Sequence, residues 1–380
     1  MNFLFAVTDF TVGGITTSLN NLSAELINRG HSVSILNLPN EKGDLPFDKR
    51  VKIIPLTGKS KFWNINIDDY KNASGINKIF YLFFGIFKKI LFKFKILDKF
   101  IFSSQPVIEC DVAVAYRQSM DCYYICKHKT NAKKTIAFIH CEFSGDCSSW
   151  IWGLNEFDCI ACVSDNWNRQ FKKAFPHLKD KVYTVNNLFN DKDIIEKSKA
   201  FEPYKKDNKF KIVTVSRIDF WPKRLNLIPQ ICQILCDKGI EDFKWYIVGD
   251  GKDKKELELL VQNYKMTDYI CLTGTKENPY PYIKNADIFV MLSDWESYGM
   301  VVRESIIVGT PVVSSKYDSL LEVMQDGEFG LITEKDIESI AQGIEKMYRN
   351  KELYMKFKQN CIEYKYDSDE VYNQFIKLCR

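Results

Sequence analysis

The stretch Asp287-Ile-Phe-Val-Met-Leu-Ser-Asp-Trp-Glu-Ser-Tyr-Gly-Met-Val-Val-Arg-Glu-Ser-Ile-Ile-Val-Gly-Thr-Pro-Val-Val313 indicates how this chain folds. Its apolar beginning predicts a buried strand that ends near Leu292, and a helix is expected from near Gly299 to Gly309. A second strand is predicted over 311–314. A strand, a polar loop, a helix and another strand form the repeating unit of a parallel α/β sheet.

The same alternation of short apolar runs and helical patterns extends over nearly the whole chain of 380 residues, which suits two domains. The predicted strands of the first half are 2–7, 32–37, 111–115, 135–139, 158–163 and 182–185, and those of the second half are 211–216, 244–248, 269–272, 288–292 and 311–314. A charged segment from Asp191 to Lys209 separates the two sets. We therefore expect an α/β protein with two Rossmann-like, doubly wound domains, residues 1–190 and 191–365.

Unusual residues follow the predicted strands, where doubly wound sheets bind their ligands. They are Gly13, Gly14, His140, Asn187, Arg217, Gly249, Gly251 and Glu296. His140 ends the buried run Thr135–Ile139, although a histidine at a strand end can also make a purely local hydrogen bond. The glycines at 249 and 251 can serve the chain path alone.

The residues around the predicted helix start suit a nucleotide sugar. The backbone N–H groups of Gly299, Met300 and Val301 would be open to a diphosphate. Glu296 precedes this anchor, where a carboxylate can hold sugar hydroxyls, and Glu304 lies about one turn into the helix, where it can hold the two ribose hydroxyls.

Positive charge for a diphosphate is expected from Arg217 and Lys223, which lie just beyond the strand that begins at Lys211. Arginine and lysine are also common on surfaces, so this stretch taken alone fits either interpretation.

The second half resembles the carboxyl-terminal domain of the glycosyltransferase family 4 enzymes, which have the GT-B fold with two domains facing a central cleft. The matching pieces are Ser216-Arg-Ile-Asp219 with Lys223, Ile247-Val-Gly-Asp-Gly251, Ala286-Asp-Ile-Phe289, Glu296, Glu304-Ser-Ile-Ile-Val-Gly-Thr-Pro-Val-Val313, Glu322, Asp326-Gly327 and Gly330. They cover nearly all of 211–333. The first half matches more loosely, through Gly13-Gly-Ile-Thr-Thr-Ser-Leu19, Asn28-Arg-Gly-His31, His140 and Val185-Asn-Asn-Leu-Phe-Asn190.

The resemblance implies a transferase that retains anomeric configuration and needs no metal and no cofactor besides its nucleotide-sugar co-substrate. It implies catalytic roles for Glu296 on the sugar and for His140 at the sugar or the acceptor hydroxyl. The donor-binding residues that it implies are Gly14, Arg217, Lys223, Gly299, Met300, Val301 and Glu304. It also implies that residues 366–380 form a helix that crosses back to the first domain.

The sequence departs from the family pattern beside Arg217. Lys223 stands one position later than is usual, with Trp221-Pro222 inserted, and Arg224 replaces a common glycine. Lys223 and Arg224 are therefore both candidates for the phosphate contact.

Composition and short motifs argue against several other classes. Residues 1–190 carry a net charge of +7 and residues 191–380 one of −3, yet no nucleic-acid-binding module is recognised, and we expect no nucleic-acid partner. Cys159 and Cys162 lack the second pair that a zinc site needs and are expected to be buried strand thiols. Gly13-Gly14 does not supply the glycine motif of a nicotinamide enzyme.

Residues 78–99 consist largely of Phe, Ile, Leu and Lys and predict a basic amphipathic helix. One interpretation is a helix that packs on the core of the first domain with a solvated lysine face. The other is peripheral contact with an anionic membrane or with a lipid-linked acceptor. Polar residues interrupt the apolar run and argue against a membrane-spanning helix.

These observations lead to a specific functional hypothesis. The chain is expected to transfer a hexose or N-acetylhexosamine from a nucleotide sugar, UDP-linked by preference, to a glycan or lipid-linked acceptor in capsule, lipopolysaccharide or other surface-polysaccharide synthesis. The start of the chain lacks the pattern of a signal peptide. We therefore expect a cytoplasmic protein, with peripheral attachment to the inner face of the membrane as an option. The alternatives are a nucleotide-sugar epimerase of the same fold and a non-catalytic, sugar-nucleotide-binding partner subunit.

Overall fold

A computed structural model describes residues 1–10, 13–38, 47–58, 60, 97–140 and 152–380. The chain divides into two compact units. The first unit contains residues 1–163, 167–188 and 369–380, and the second contains residues 164–166 and 189–368. The predicted helix at 78–99 lies outside the described residues except for its last three positions.

In the described part of the first unit, seven parallel strands form a sheet in the order β3-β2-β1-β4-β5-β6-β7. Its strands are β1 Asn2–Val7, β2 Ser32–Asn37, β3 Lys52–Pro55, β4 Ile108–Ala115, β5 Thr130–Ile139, β6 Cys159–Cys162 and β7 Val182–Thr184. The sequence pattern predicted six of them and missed β3. This strand is a partly exposed edge strand, so it lacks the continuous apolar run that marks a central one.

The second unit contains a six-stranded parallel sheet in the order β10-β9-β8-β11-β12-β13. Its strands are β8 Phe210–Val215, β9 Phe243–Val248, β10 Ile270–Gly274, β11 Ile288–Met291, β12 Val312–Ser315 and β13 Gly330–Thr333. Both sheets thus have the 3-2-1-4-5 strand order of a doubly wound fold. The edge strand β13 is the one strand of this unit that the pattern missed.

Helices connect the strands of both sheets. The described α-helices are α1 Gly14–Asn28, α2 Leu97–Ile101, α3 Met120–His128, α4 Asp165–Ala174, α5 Asp191–Lys197, α6 Phe220–Lys223, α7 Ile228–Asp237, α8 Lys254–Asn263, α9 Tyr280–Lys284, α10 Met300–Ile307, α11 Leu320–Met324, α12 Ile337–Arg349, α13 Lys351–Glu363 and α14 Ser368–Leu378. Short 3₁₀ helices cover Phe102–Ser104, Trp152–Glu156, Pro176–Lys181, Leu225–Leu227 and Gln325–Gly327. None of the helices in the described ranges combines the length and the apolar character needed to cross a membrane.

The C-terminal helix α14 completes the core of the first unit. Phe375 is fully buried, and its ring centroid lies 5.7 Å from that of Phe3 and 6.1 Å from that of Phe138. At the beginning of the helix, the Arg29 guanidinium contacts Asp369 and lies 3.9 Å from the centre of the Tyr372 ring. The last segment of the chain therefore belongs structurally to the first sheet.

Each sheet has one point where the strand order reverses, between β1 and β4 in the first unit and between β8 and β11 in the second. Chains leave neighbouring strands in opposite directions at such a point, which opens a crevice beyond their carboxyl ends. The loops after β1, β8 and β11 lead to Gly14, Arg217 and Glu296, whereas His140 and Asn187 follow β5 and β7.

Candidate functional site

The loop after β8 presents the predicted cations at the reversal point of the second sheet. Arg217 is about two-thirds exposed, and its Nε lies 2.5 Å from an Asp219 oxygen. The backbone of this loop packs closely on the turn after β9, because a Cβ added to Gly249 would lie 2.0 Å from the Ser216 carbonyl oxygen. Gly249, whose φ is 147°, thus helps to set the path of the Arg217 loop.

Lys223 and Glu296 join the loops that follow β8 and β11. The Lys223 ammonium contacts Oε1 of Glu296, and the hydroxyl of Ser293 donates a hydrogen bond of 2.7 Å to the same oxygen. The side chains of Lys223 and Glu296 are 19% and 13% exposed. Lys223, which was expected to bind the phosphates, therefore directly contacts Glu296, which was expected to bind the sugar.

Arg224 occupies a different place from Lys223. Its backbone is left-handed, with φ 56° and ψ 30°, a conformation that favours glycine and fits the glycine usual at this position in family 4. Its guanidinium lies 3.3 Å from a carboxylate oxygen of Asp294, whose backbone N–H donates to the carbonyl of Pro222 at 2.9 Å. Lys223 therefore reaches the Glu296 carboxylate, whereas Arg224 fastens the two loops together.

Helix α10 begins after a glycine, as expected for a helix start that binds an anion. Gly299 caps the helix in the left-handed region, with φ 77° and ψ 52°. The N–H groups of Gly299, Met300 and Val301 have no acceptor within the helix, as at any helix start. The helix ends at Ile307 rather than at Gly309, whose φ of 84° turns the chain toward β12.

Glu304 lies inside the domain, one turn into α10. The residue is 7% exposed, and burial raises the pKa of its carboxyl to about 7. The Tyr280 hydroxyl, at 3.5 Å from Oε1, acts in the opposite direction but weakly because the distance is long. A buried carboxylate with so little hydrogen bonding can gain from two hydroxyl groups of a ligand.

Gly14 opens α1 at the reversal point of the first sheet, after a fully extended Gly13. The next turn of this helix is tied to the loop after β7. The Ser18 hydroxyl lies 2.7 Å from the Tyr116 hydroxyl and donates to Oδ1 of Asn187 at 2.8 Å. The glycine-rich helix start and the strand-end residue Asn187 thus belong to one buried network.

His140 follows β5 directly and is 4% exposed. Burial, reinforced by the charge of Arg117, lowers the pKa of its ring to about 3, so the ring is neutral at physiological pH. Within the described part of the chain, its Nε2 has no hydrogen-bond partner. A neutral ring with one unsatisfied nitrogen is suited to a hydrogen bond with a ligand hydroxyl.

Sequence reasoning missed an ion pair in the first unit. Arg117, two residues after β4, contacts the carboxylate of Asp9, two residues after β1. Each side chain is about one-third exposed. The position of Arg117 just after a predicted strand was a usable signal, but the spatial adjacency of its carboxylate partner was not visible in the sequence.

Within the described ranges, no group of three or more His, Cys, Asp or Glu side chains is arranged to hold a metal ion. Cys159 and Cys162 are buried in β6, as expected of strand thiols.

Two parallel doubly wound sheets in two compact units are the architecture of the GT-B fold. The family model "Glycosyl transferases group 1" matches residues 195–364. The second domain of this chain is therefore similar to the group 1 glycosyltransferases.

Curated relatives match over part of their length. The N-acetylgalactosamine-N,N'-diacetylbacillosaminyl-diphospho-undecaprenol 4-alpha-N-acetylgalactosaminyltransferase of Campylobacter jejuni is 31% identical over 162 residues, which are 42% of this chain and 43% of that protein. The N-acetyl-alpha-D-glucosaminyl L-malate synthase of Bacillus anthracis is 22% identical over 231 residues, 59% of this chain and 60% of that protein. The alignments thus span about half of these relatives.

A solved structure matches over the whole chain. A mutant of S. aureus TarM, in complex with Fondaparinux, alpha-GlcNAc-glycerol and UDP, superposes with a TM-score of 0.72 at 14% identity, covering 100% of this chain and 99% of that one. At this identity the match supports the fold alone.

Proposed function

We propose that the protein is a retaining, metal-independent glycosyltransferase. In this proposal it transfers a hexose or N-acetylhexosamine from a UDP-sugar to a glycan or lipid-linked acceptor of a cell-surface polysaccharide. The observation that carries the proposal is the meeting of Lys223, Glu296 and the start of α10 at the reversal point of the second sheet. Cations, a carboxylate and free N–H groups are what a diphosphate attached to a sugar requires.

The charges of the site suit departure of a nucleoside diphosphate. Negative charge grows on the leaving diphosphate as its bond to the sugar breaks. Arg217, Lys223 and the N–H groups at the start of α10 can stabilise that charge without reorganising during the reaction. Glu296 can accept hydrogen bonds from hydroxyls of the transferred sugar, and Glu304 can accept those of the ribose.

In this proposal the first domain binds the acceptor. The neutral ring of His140 can accept a hydrogen bond from a hydroxyl of the sugar or the acceptor, and Gly14 leaves room for the donor phosphates. Two features support UDP-linked N-acetylhexosamine as the first donor class to test. One relative is named as an N-acetylgalactosaminyltransferase and the other as an N-acetyl-alpha-D-glucosaminyl L-malate synthase, and the S. aureus structure contains UDP.

Titration calorimetry tests the donor proposal. The purified protein is titrated, without added metal, with UDP, GDP, ADP and CMP and with their common sugar conjugates. We expect binding of UDP and of one UDP-sugar, unchanged by a chelator. Absence of binding by every nucleotide would contradict the proposal.

Incubation of the donor without acceptor separates a transferase from an epimerase, because only an epimerase would convert the sugar to its epimer. Proton NMR of the transferred sugar in the product tests retention.

A further inference from the structure

Tyr317 is a buried side chain whose polar atom has no evident role in holding the fold. It lies two residues beyond β12 and is 4% exposed. Among the described residues, its hydroxyl has no hydrogen-bond partner. Leaving a buried hydroxyl unpaired destabilises a protein, and a phenylalanine ring would fill the same space without this cost.

The hydroxyl of Tyr317 lies against the start of α10. A Cβ added to Gly299 would lie 2.1 Å from the Tyr317 hydroxyl oxygen. Any side chain at position 299 would therefore compete with this oxygen for space. The hydroxyl therefore lies beside Gly299, which caps an eight-residue helix, and the N–H groups of such a helix start can bind an anion.

The surroundings keep the hydroxyl in its donor form. Burial, with a further contribution from the charge of Glu296, raises the pKa of Tyr317 well above its usual value. Oε1 of Glu296 already contacts Lys223 and accepts from Ser293. The Tyr317 hydroxyl is therefore a hydrogen-bond donor beside a helix start, and no acceptor for it lies among the described residues.

We propose that Tyr317 is a ligand-binding residue whose hydroxyl donates a hydrogen bond to a phosphate oxygen of the nucleoside diphosphate held at the start of α10. This inference rests on the proposed function and adds a residue to its donor site. The absence of a side chain at Gly299 allows a phosphate oxygen to approach the hydroxyl. Removing the hydroxyl should then weaken diphosphate binding without harming the unliganded fold.

The test compares Tyr317→Phe with the intact protein by calorimetry and thermal unfolding. For UDP and for inorganic pyrophosphate we expect affinity to fall about tenfold to a hundredfold, the effect of losing a hydrogen bond to a charged group. The affinity for uridine, which has no phosphate, should not change. The melting temperature without ligand should stay the same or rise, since the variant no longer buries an unpaired hydroxyl.

Tyr204→Phe provides the matched control. The Tyr204 hydroxyl is also part-buried in the second unit, but it donates to the Tyr282 carbonyl at 2.5 Å. Its removal should lower the melting temperature and leave UDP affinity unchanged. The two tyrosines are thus expected to respond in opposite ways to the same chemical change.

Three results would overturn the inference for Tyr317. The first is unchanged UDP affinity in Tyr317→Phe. The second is a loss of affinity for UDP-sugars alone, which would assign the hydroxyl to the sugar. The third is a lower melting temperature with unchanged affinity, which would make the role of the hydroxyl structural. Failure of the intact protein to bind any nucleotide would instead contradict the proposed function, and so the two failures are distinguishable.

Discussion

Lys223 and Glu296 contact each other in the unliganded domain, although the proposed reaction gives each of them a different partner. In the proposed complex the diphosphate competes with Glu296 for the Lys223 ammonium, and Ser293 stays as a hydrogen-bond donor to the carboxylate. Part of the binding free energy is therefore spent on separating the pair. At the scale of single residues, this competition predicts that removing the charge of Glu296 strengthens the binding of UDP.

Glu296→Gln should bind free UDP more tightly than the intact protein does, by about threefold to tenfold, because Lys223 is no longer held by a negative charge. The same variant should lose sugar transfer, since the carboxylate that holds the sugar is gone. Calorimetry with UDP measures the first effect, and Lys223→Met, which should weaken UDP binding, is the control. Weaker UDP binding by Glu296→Gln would contradict the competition.

Glu304 gives a prediction with a defined sign in pH. Its folded-state pKa of about 7 lies above the ordinary value of 4.5, so the protonated form favours folding, and this contribution is lost as pH rises through 7. Glu304→Gln should therefore gain stability over the intact protein between pH 4.5 and 7.5, reaching on the order of 3 kcal/mol. Urea unfolding at a series of pH values without nucleotide measures this gain.

Glu345→Gln is the control for that pH series. Lys238 lowers the pKa of the Glu345 carboxyl, so its charged form stabilises the fold. Its replacement should reduce stability by a constant amount above pH 4.5, a loss that disappears as pH falls through the lowered pKa, and this effect has the opposite sign. A stability difference for Glu304→Gln that does not change with pH would show that the buried carboxyl does not titrate in this window.

At the scale of elements, helix α14 links the end of the chain to the first sheet. Phe375→Ala removes a ring packed on Phe3, Phe5 and Phe138 and should reduce the free energy of unfolding by about 3–5 kcal/mol. Asp369→Asn, at the exposed beginning of the same helix, should cost less than about 1 kcal/mol. Urea unfolding compares them, and equal effects would contradict the packing account.

Strand prediction succeeded where strands are central and apolar. The bounds of β1 and β2 were predicted to the residue, whereas β5 begins at Thr130, five positions before its apolar run, because its polar first half is partly exposed. That Lys223 and Glu296 lie close together could be predicted because they follow strands of one parallel sheet. The Asp9–Arg117 pair and the Tyr317 hydroxyl depend on side-chain directions that the sequence does not encode locally.

At the scale of the whole molecule, peripheral attachment to an anionic membrane is one of the two interpretations of the basic segment 78–99. Replacing Lys88, Lys89 and Lys93 with glutamine should reduce binding to vesicles that contain phosphatidylglycerol by about a hundredfold at low salt, from roughly 1 kcal/mol for each lysine. Replacement of the same residues with arginine preserves charge and should preserve binding. Co-sedimentation measures both, and equal binding by all three proteins would favour a helix packed in the first domain.

The central claim is that the second domain holds a nucleotide sugar whose sugar is then transferred. The most direct measurement supplies labelled UDP-N-acetylhexosamines and a set of lipid-linked and glycan acceptors to the intact protein and to Glu296→Gln, with a chelator present. We expect one labelled glycoside product and an equal amount of UDP from the intact protein, and at least a hundredfold less from the variant. Equal product from the two proteins would contradict the assignment of the site, and UDP release without any glycoside would contradict transfer.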